Sequence, residues 1–515
     1  MRHTVGTTTQ TKEHDHTHVR NRFAVIPTHE RLDADTRFTG KGVTIAFLDS
    51  GFYPHPDIVE PLGRVKAFHD VTGETSSFQS DEPSQSWMWH GTQTSVVAAG
   101  NGTLSNGIYR GLAPEAEIVL VKVGDQRGRI TEDNIARAFE WVIENRELYN
   151  IRIVSISLGG DEDVPCSKST IDLAAESAIQ NGIVVVAAAG NSGDAARHHS
   201  IPPANSPSVI TVGGYNDQNQ LDDAKFDLYH SNYGTTSDGT VKPEVIAPAM
   251  WVAAPILPGT GSYIAAEYLS ELATSADYEL KELVRETWRE AGLEQSIHLE
   301  TPSQIRDVVE TRLRESKIVA THYQHVDGTS FAAPIVASIV AQMIEANPEL
   351  TPSAVKNILV STADRLRHAP VIRQGYGVVN ARRAVDMALS EQHSLEFSTL
   401  TPPRIEEGGF VFVYHDDAAR SVALASDLNE WDHSRTPFTR GRDGFWRAEI
   451  SPLPKPGRYR YKLVIDGSRW LDDPGNVYKE PDGLGGLNSI VSIEERCPQG
   501  NSTNEPGGES LDNAV

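Results

Sequence analysis

Between residues 40 and 390, short apolar runs alternate with stretches whose apolar residues recur every three or four positions. That is the pattern of an α/β protein on a largely parallel, doubly wound sheet. The runs "GVTIAFLD", "AEIVLVKV", "IRIVSISLGG", "GIVVVAAAGN" and "SVITVGG" read as strands, and "TEDNIARAFEWVIENREL" and "STIDLAAESAIQ" as helices that cover them. Sites in such sheets lie beyond the carboxyl ends of the strands. From 262 to 320 the rhythm breaks into charged, helix-forming sequence, with Leu280, Leu283, Val284 and Trp288 on one face and Ile305, Val308, Val309 and Leu313 on another. This predicts an insertion of two amphipathic helices, either a lid or partner surface or a structural appendage. After about 400, "GGFVFVYHD", "SVALASD", "FWRAEIS" and "RYRYKLVIDG" alternate at period two between turn signals such as Pro456-Gly457 and Asp466-Gly467, as in an immunoglobulin-like β-sandwich. The expected organisation is a flexible segment 1–22, an α/β body 23–398 carrying the insertion 262–320, a sandwich 399–495 and a disordered tail 496–515.

Composition narrows the picture little. The 515 residues carry a formal net charge of -24, from 70 acidic and 46 basic side chains, which argues against a nucleic-acid binder. Two cysteines, Cys166 and Cys497, lie far apart and give neither a disulfide framework nor a thiolate metal site. The polar N-terminus has no signal-peptide core, and no stretch reads as long and apolar enough to span a membrane, so a cytoplasmic location with no membrane partner is expected. His14, His16 and His18 read as part of a polar tail rather than as metal ligands.

Candidate chemistry sits where apolar runs meet small polar residues. "DGTSFAAPIVASIVAQMI" places Ser330 at the mouth of an apolar helix, either as a plain cap or as a nucleophile beside unpaired N–H groups that can hold an oxyanion. "VTIAFLDSG" ends a strand on Asp49, whose buried charge needs a partner. "WHGTQTSVVAAG" opens a helix at His90, a polar cap or a general base. "VVVAAAGNSG" brackets Asn191 with glycines, as a turn residue or as an amide donor.

With "DSGFYPHPDI", "HGT", "AAAGNSG" and "DGTSFAAP" in this order, and with "SLGG" and "VKPEVIAPA" between them, residues 25 to 390 resemble the subtilisin-like serine proteases. The resemblance implies a triad of Asp49, His90 and Ser330, with Asn191 as oxyanion donor. Ser157, Leu158, Gly159, Ala188, Ala189 and Gly190 would line a cleft for a protein or peptide substrate. The chemistry would need no cofactor. Structural calcium stays open, although the loop "NGTLSNGIYRGLAP" offers no convincing oxygen cage. Gln93 stands where many relatives have a second histidine. The short stretch before the Asp49 strand has no room for a folded inhibitory prodomain, so control is expected from the N-terminal segment or from the insertion.

The sandwich, over about 408 to 493, resembles the glycogen-binding module of AMP-activated protein kinase β subunits through "NEW", "PGRYRYKLVIDG", "RWLDDP" and "LGGLNSI". That likeness implies glucan contacts from Trp431, Lys462, Trp470, Leu484 and Asn488, with Gly486 in place of the family's threonine. On residue type alone, Trp431 and Trp470 could equally be sandwich core. Three readings follow: a serine endopeptidase directed to glycogen or another α-glucan, a closed glucan-associated scaffold, or a protease whose β-domain binds protein.

Overall fold

A computed structural model of the chain describes residues 25–493 apart from 74–77, 79–83, 161–163, 196–198, 391–402, 407–408, 417, 442–443, 456 and 477. The segment 1–22 with its histidines, the tail 496–515, Cys497 and Pro456 lie outside the described residues.

Among the described residues, seven parallel strands form the body's central sheet: β1 (Thr44–Asp49), β2 (Val65–Asp70), β3 (Glu117–Lys122), β4 (Ile151–Ile156), β5 (Val184–Ala188), β6 (Ile210–Asn216) and β7 (Val245–Pro248), with the short Asp227–Leu228 added antiparallel to β6. Their order across the sheet is β7-β6-β5-β4-β1-β3-β2. The five apolar runs are the strands β1, β3, β4, β5 and β6. The strand β2 escaped the pattern because its residues are only half buried, as an edge position allows, and β7 because Pro243 and Glu244 interrupt the run before it. All six residues of β1 are buried, which its β-branched and aromatic side chains suit only because helices cover both faces.

One face carries the helices α1 (Trp89–Ala99) and, further along the chain, Thr329–Ala346. The other carries α2 (Glu132–Tyr149) and α3 (Thr170–Gln180). Each of the latter pair starts on a hydroxyl that accepts an N–H of the first turn, Thr131 from Asn134 and Ser169 from Asp172.

The insertion contains three helices rather than two: α4 (Gly261–Thr274), α5 (Asp277–Thr287) and α6 (Pro302–Glu315). The two expected faces are α5 and α6, with Leu280, Val284, Ile305, Val309 and Leu313 buried in a core of the insertion's own, while Val308 faces solvent. The first helix was missed because "SYIAAEYLSELAT" mixes small and apolar residues around its circumference. The insertion leaves the body after the strand Val252–Pro255 and returns through Ile318–Ala320 and Tyr323–Val326; Tyr323–Val326 lies between the other two and pairs antiparallel with each.

After the insertion comes α7 (Thr329–Ala346), with fifteen of its eighteen residues buried. It amends one expectation. By length and hydropathy this helix could cross a membrane, but 83% of it is buried inside the body, as a central core helix must be.

Among the described residues, two antiparallel sheets of four and five strands make up the C-terminal sandwich. Its core holds Phe410, Phe412, Leu424, Trp446, Tyr461 and Leu463. Tyr376 of the body donates its hydroxyl to Gly475 O of the sandwich at 2.8 Å.

Candidate active site

The carboxyl end of β1 delivers Asp49 beside the first turn of α1. The close approach depends on Gly91, where a Cβ would lie 2.3 Å from Gly51 O and 2.8 Å from the Asp49 Cβ. The Asp49 carboxylate faces His90 Nδ1 at 2.8 and 3.0 Å and also accepts from Ser50 N at 2.7 Å and Thr94 Oγ1 at 3.1 Å. These contacts satisfy a charge that burial would otherwise make costly. Burial pulls the imidazole pKa down, but the charge and hydrogen bond of Asp49 outweigh it, and the net shift is upward. A His90 that donates from Nδ1 leaves Nε2 as the acceptor, the tautomer a general base needs.

Ser330 begins α7, and two features of the sequence shape its surroundings. Pro334, four residues on, has no N–H for the Ser330 carbonyl, so the helix leaves that oxygen to another donor. Ser157 Oγ supplies it at 2.8 Å, tying the segment after β4 to the nucleophile candidate. The second feature is Gly328, whose φ of 142° turns the chain into the helix. The Ser330 residue is half buried and, among the described residues, its hydroxyl makes no hydrogen bond. Such contacts often tighten only when substrate is bound. The ring of its neighbour Phe331 lies 6.1 Å from that of His90, which brings the two helix starts together.

Asn191 follows β5 and lies exposed against the start of α7. Its Oδ1 accepts from Thr329 N at 3.0 Å and from Thr329 Oγ1 at 2.9 Å, while Thr329 Oγ1 in turn accepts from Gly190 N at 3.1 Å. With the oxygen held by two donors, the amide has one orientation, and Nδ2 is the atom left for the cleft. Sequence reading missed Thr329 and Thr94 as positioning residues; both lie inside the quoted motifs, close to the residues they hold. The segments Ser157–Gly159 and Ala188–Gly190 leave neighbouring strands, since β4 pairs β5 in parallel with Ile156 opposite Ala187. Leu158, Gly159, Ala188 and Gly190 are open or half buried, whereas Ala189 is buried. Gln93 is buried, and its Nε2 donates to Pro255 O at 2.9 Å.

The loop considered for calcium does not fit a cation. The Asn101 Oδ1 caps Thr103, and Asp57 beneath the loop accepts from Leu104 N at 3.2 Å and from the Tyr323 hydroxyl at 2.6 Å. These oxygens are turned to donors of the chain itself. Among the described residues, no group of three or more His, Cys, Asp or Glu side chains could hold a metal ion.

Beside Asp57, His55 is fully buried; burial first, then the nearby His322, pushes its pKa down to about 3. An unfolded histidine titrates near 6.5. The neutral ring thus contributes stability that is fully present above pH 6.5 and is lost progressively as pH falls towards 3, at about 1.4 kcal/mol per pH unit. In a Ser330→Ala background, which prevents self-digestion, urea unfolding at pH 8 and pH 5 is expected to differ by about 2 kcal/mol from this group. His55→Asn, which keeps an acceptor for the Asp57 N–H, should flatten that slope, and an unchanged slope would refute the assignment.

In the sandwich, Lys462 and Trp470 lie on one face, as Val464, two residues beyond Lys462, is the partner of Trp470. Trp470 is 45% exposed and meets the His433 ring edge-on at 5.9 Å, a neighbour not foreseen from the sequence. Trp431 is half buried, with Nε1 donating to Asp427 at 2.9 Å. Neither ring belongs to the core, which uses Trp446 instead. Leu484 is 92% exposed, while Asn488 is only 7% exposed and offers little surface. Lys462 is paired with Asp482 at 2.6 Å, and a Cβ at Gly486 would come within 2.7 Å of that carboxylate. The missing threonine therefore makes room for this ion pair.

Residues 40–377 match the Subtilase family, and residues 399–476 match carbohydrate-binding module 48, described as the isoamylase N-terminal domain. Serine protease AprX of Bacillus subtilis (strain 168) is 32% identical over 359 residues, covering 67% of each chain. Subtilisin E of the same organism is 34% identical over 187 residues, 36% of this chain and 43% of its own. Its Major intracellular serine protease is 35% identical over 178 residues, 34% of this chain and 51% of its own.

Proposed function

Because the chain belongs to the subtilase family of serine proteases and carries a carbohydrate-binding module, we propose that it is an endopeptidase acting through Asp49, His90 and Ser330 and held on glycogen or a related α-glucan. The observation that carries the first part is the pairing of His90 Nδ1 with the buried Asp49 at 2.8 Å, on a helix start that faces the one bearing Ser330. In this reading Ser330 Oγ attacks the peptide carbonyl and passes its proton to His90 Nε2, which returns it to the leaving amine. Asp49 keeps the ring in the right tautomer and stabilises the imidazolium. The Asn191 Nδ2 and the Ser330 N–H, unpaired in the first turn of α7, receive the oxyanion. Water then repeats the sequence on the acyl-enzyme. The substrate is a protein or peptide, lying extended along Ser157–Gly159.

The glucan part is supported by the open face of Trp470, Trp431 and Leu484, since flat rings can stack on sugar rings while the Lys462–Asp482 pair bonds hydroxyls. The contact from Tyr376 to Gly475 speaks against the sandwich covering its own cleft. The Tyr376 N–H donates to Glu244 O at 2.8 Å, just before β7 begins, whereas Asp49 marks the opposite, carboxyl end of the parallel sheet. A module anchored there leaves the cleft open.

The test is migration through gels containing glycogen. Wild type should be retarded, and Trp470→Ala should lose about tenfold in affinity, the worth of one stacked ring at about 1.4 kcal/mol. Wild type that migrates equally with and without glycogen would favour the protein-binding reading of the sandwich.

A further inference from the structure

The helical insertion is tied at each of its roots to one of the two catalytic elements. At its start, the Pro255 carbonyl accepts from Gln93, one helical turn after His90 in α1. At its end, Lys317 follows α6 in a left-handed conformation, φ 56°, and donates Nζ to Asp327 Oδ2 at 2.9 Å. Asp327 lies three residues before Ser330 and one before Gly328, where a Cβ would stand 3.7 Å from Asn191 Nδ2. The residue that bears the carboxylate is therefore next in the chain to the point where the backbone passes the oxyanion donor.

A negative charge at that place opposes the one that develops on the substrate carbonyl, and in a partly desolvated cleft the penalty is larger than in water. The groups facing Asp327 are Lys317, the His325 ring at 3.8 Å, the Trp251 N–H at 3.1 Å and the nearby Tyr229. Burial would raise the carboxyl pKa, but the nearby His325 ring, the Lys317 ammonium and the Trp251 N–H hold it down to about 2, so the group is ionised throughout the working range. Lys317 is thus the side chain paired against a permanent anion.

We propose that Lys317, brought to the site by the insertion, is a positioning residue that neutralises Asp327 and so preserves oxyanion stabilisation and keeps His90 in its neutral, proton-accepting form. This rests on the assignment of Asp49, His90 and Ser330 above. It gives the insertion a role in turnover that neither a passive appendage nor a partner surface would have.

The experiment compares full-length wild type, Lys317→Met, Lys317→Arg, Asp327→Asn and the double variant Lys317→Met/Asp327→Asn on a chromogenic tetrapeptide anilide that wild type cleaves. Active sites are counted with a fluorophosphonate probe. Lys317→Met should lower kcat about tenfold with KM within about twofold, and should move the acid limb of kcat/KM upward by about half a pH unit, because the unpaired anion favours the imidazolium. Lys317→Arg should stay near wild type. The double variant should regain most of the lost kcat and return the limb to its place, since its asparagine side chain has no charge to neutralise and keeps an acceptor for the Trp251 N–H. Wild-type kcat and pH profile in Lys317→Met would overturn the proposal, as would a loss that Asp327→Asn fails to rescue. Wild type that the probe does not label at Ser330 would instead remove the triad assignment, and the proposal with it.

Discussion

Ser330→Ala is expected to cut turnover of unfolded casein about 10⁴- to 10⁶-fold, with little change in KM. The size follows from what the hydroxyl does: it supplies the covalent bond that divides amide hydrolysis into two easier steps, and without it only water can attack. The loss corresponds to about 5.5 to 8 kcal/mol of transition-state stabilisation. His90→Ala should cost about as much, because an unassisted serine is a poor nucleophile near neutral pH. The informative variant is the double one. If the two side chains act as one unit, Ser330→Ala/His90→Ala loses no more than either alone, whereas independent roles would multiply the losses. Casein release and fluorophosphonate labelling measured together keep binding apart from chemistry. A Ser330→Ala protein that retains more than about a hundredth of wild-type turnover would place the nucleophile elsewhere.

The fold was legible where burial on both faces leaves unbroken apolar strings, as in "GVTIAFLD" and "GIVVVAAAGN", because there the sequence carries the packing directly. It was illegible where an element depends on its neighbours. The edge strand Val65–Asp70 is half exposed, and helix α4 mixes small and apolar residues whose covered face is decided by α5 and α6. The site divides in the same way. Asp49, His90, Asn191 and Ser330 stood out because each breaks an apolar run with a polar group at a strand or helix end. The contacts that hold them did not: Thr94 and Thr329 are ordinary hydroxyl residues, Ser157 was named only as lining the cleft, and their hydrogen bonds join elements between 45 and 173 positions apart. Lys317 and Asp327 were read only as part of a charged insertion and of the "DGTS" run. No spacing in the sequence joins them as a pair; the antiparallel return of the insertion does.

Asn191→Ala should lower kcat about a hundred- to a thousandfold, or about 2.7 to 4 kcal/mol, while leaving KM nearly unchanged. The asymmetry is the point. Nδ2 bonds weakly, if at all, to a ground-state carbonyl and gains its partner as the oxygen becomes anionic, so its removal affects the transition state alone. Thr329→Val separates orientation from donation. It deletes the Oγ1 that donates to Asn191 Oδ1 and accepts from Gly190 N, but keeps the Thr329 N–H on that same oxygen. The amide then keeps one of its two restraints, and the loss should be about tenfold or less, the worth of one hydrogen bond of about 1 kcal/mol. In the Asn191→Ala background, Thr329→Val should cost almost nothing further, because the group it orients is already gone. Full additivity of the two losses would mean that Thr329 acts on Ser330 or on the helix start directly, and that the amide is held in place by some other contact.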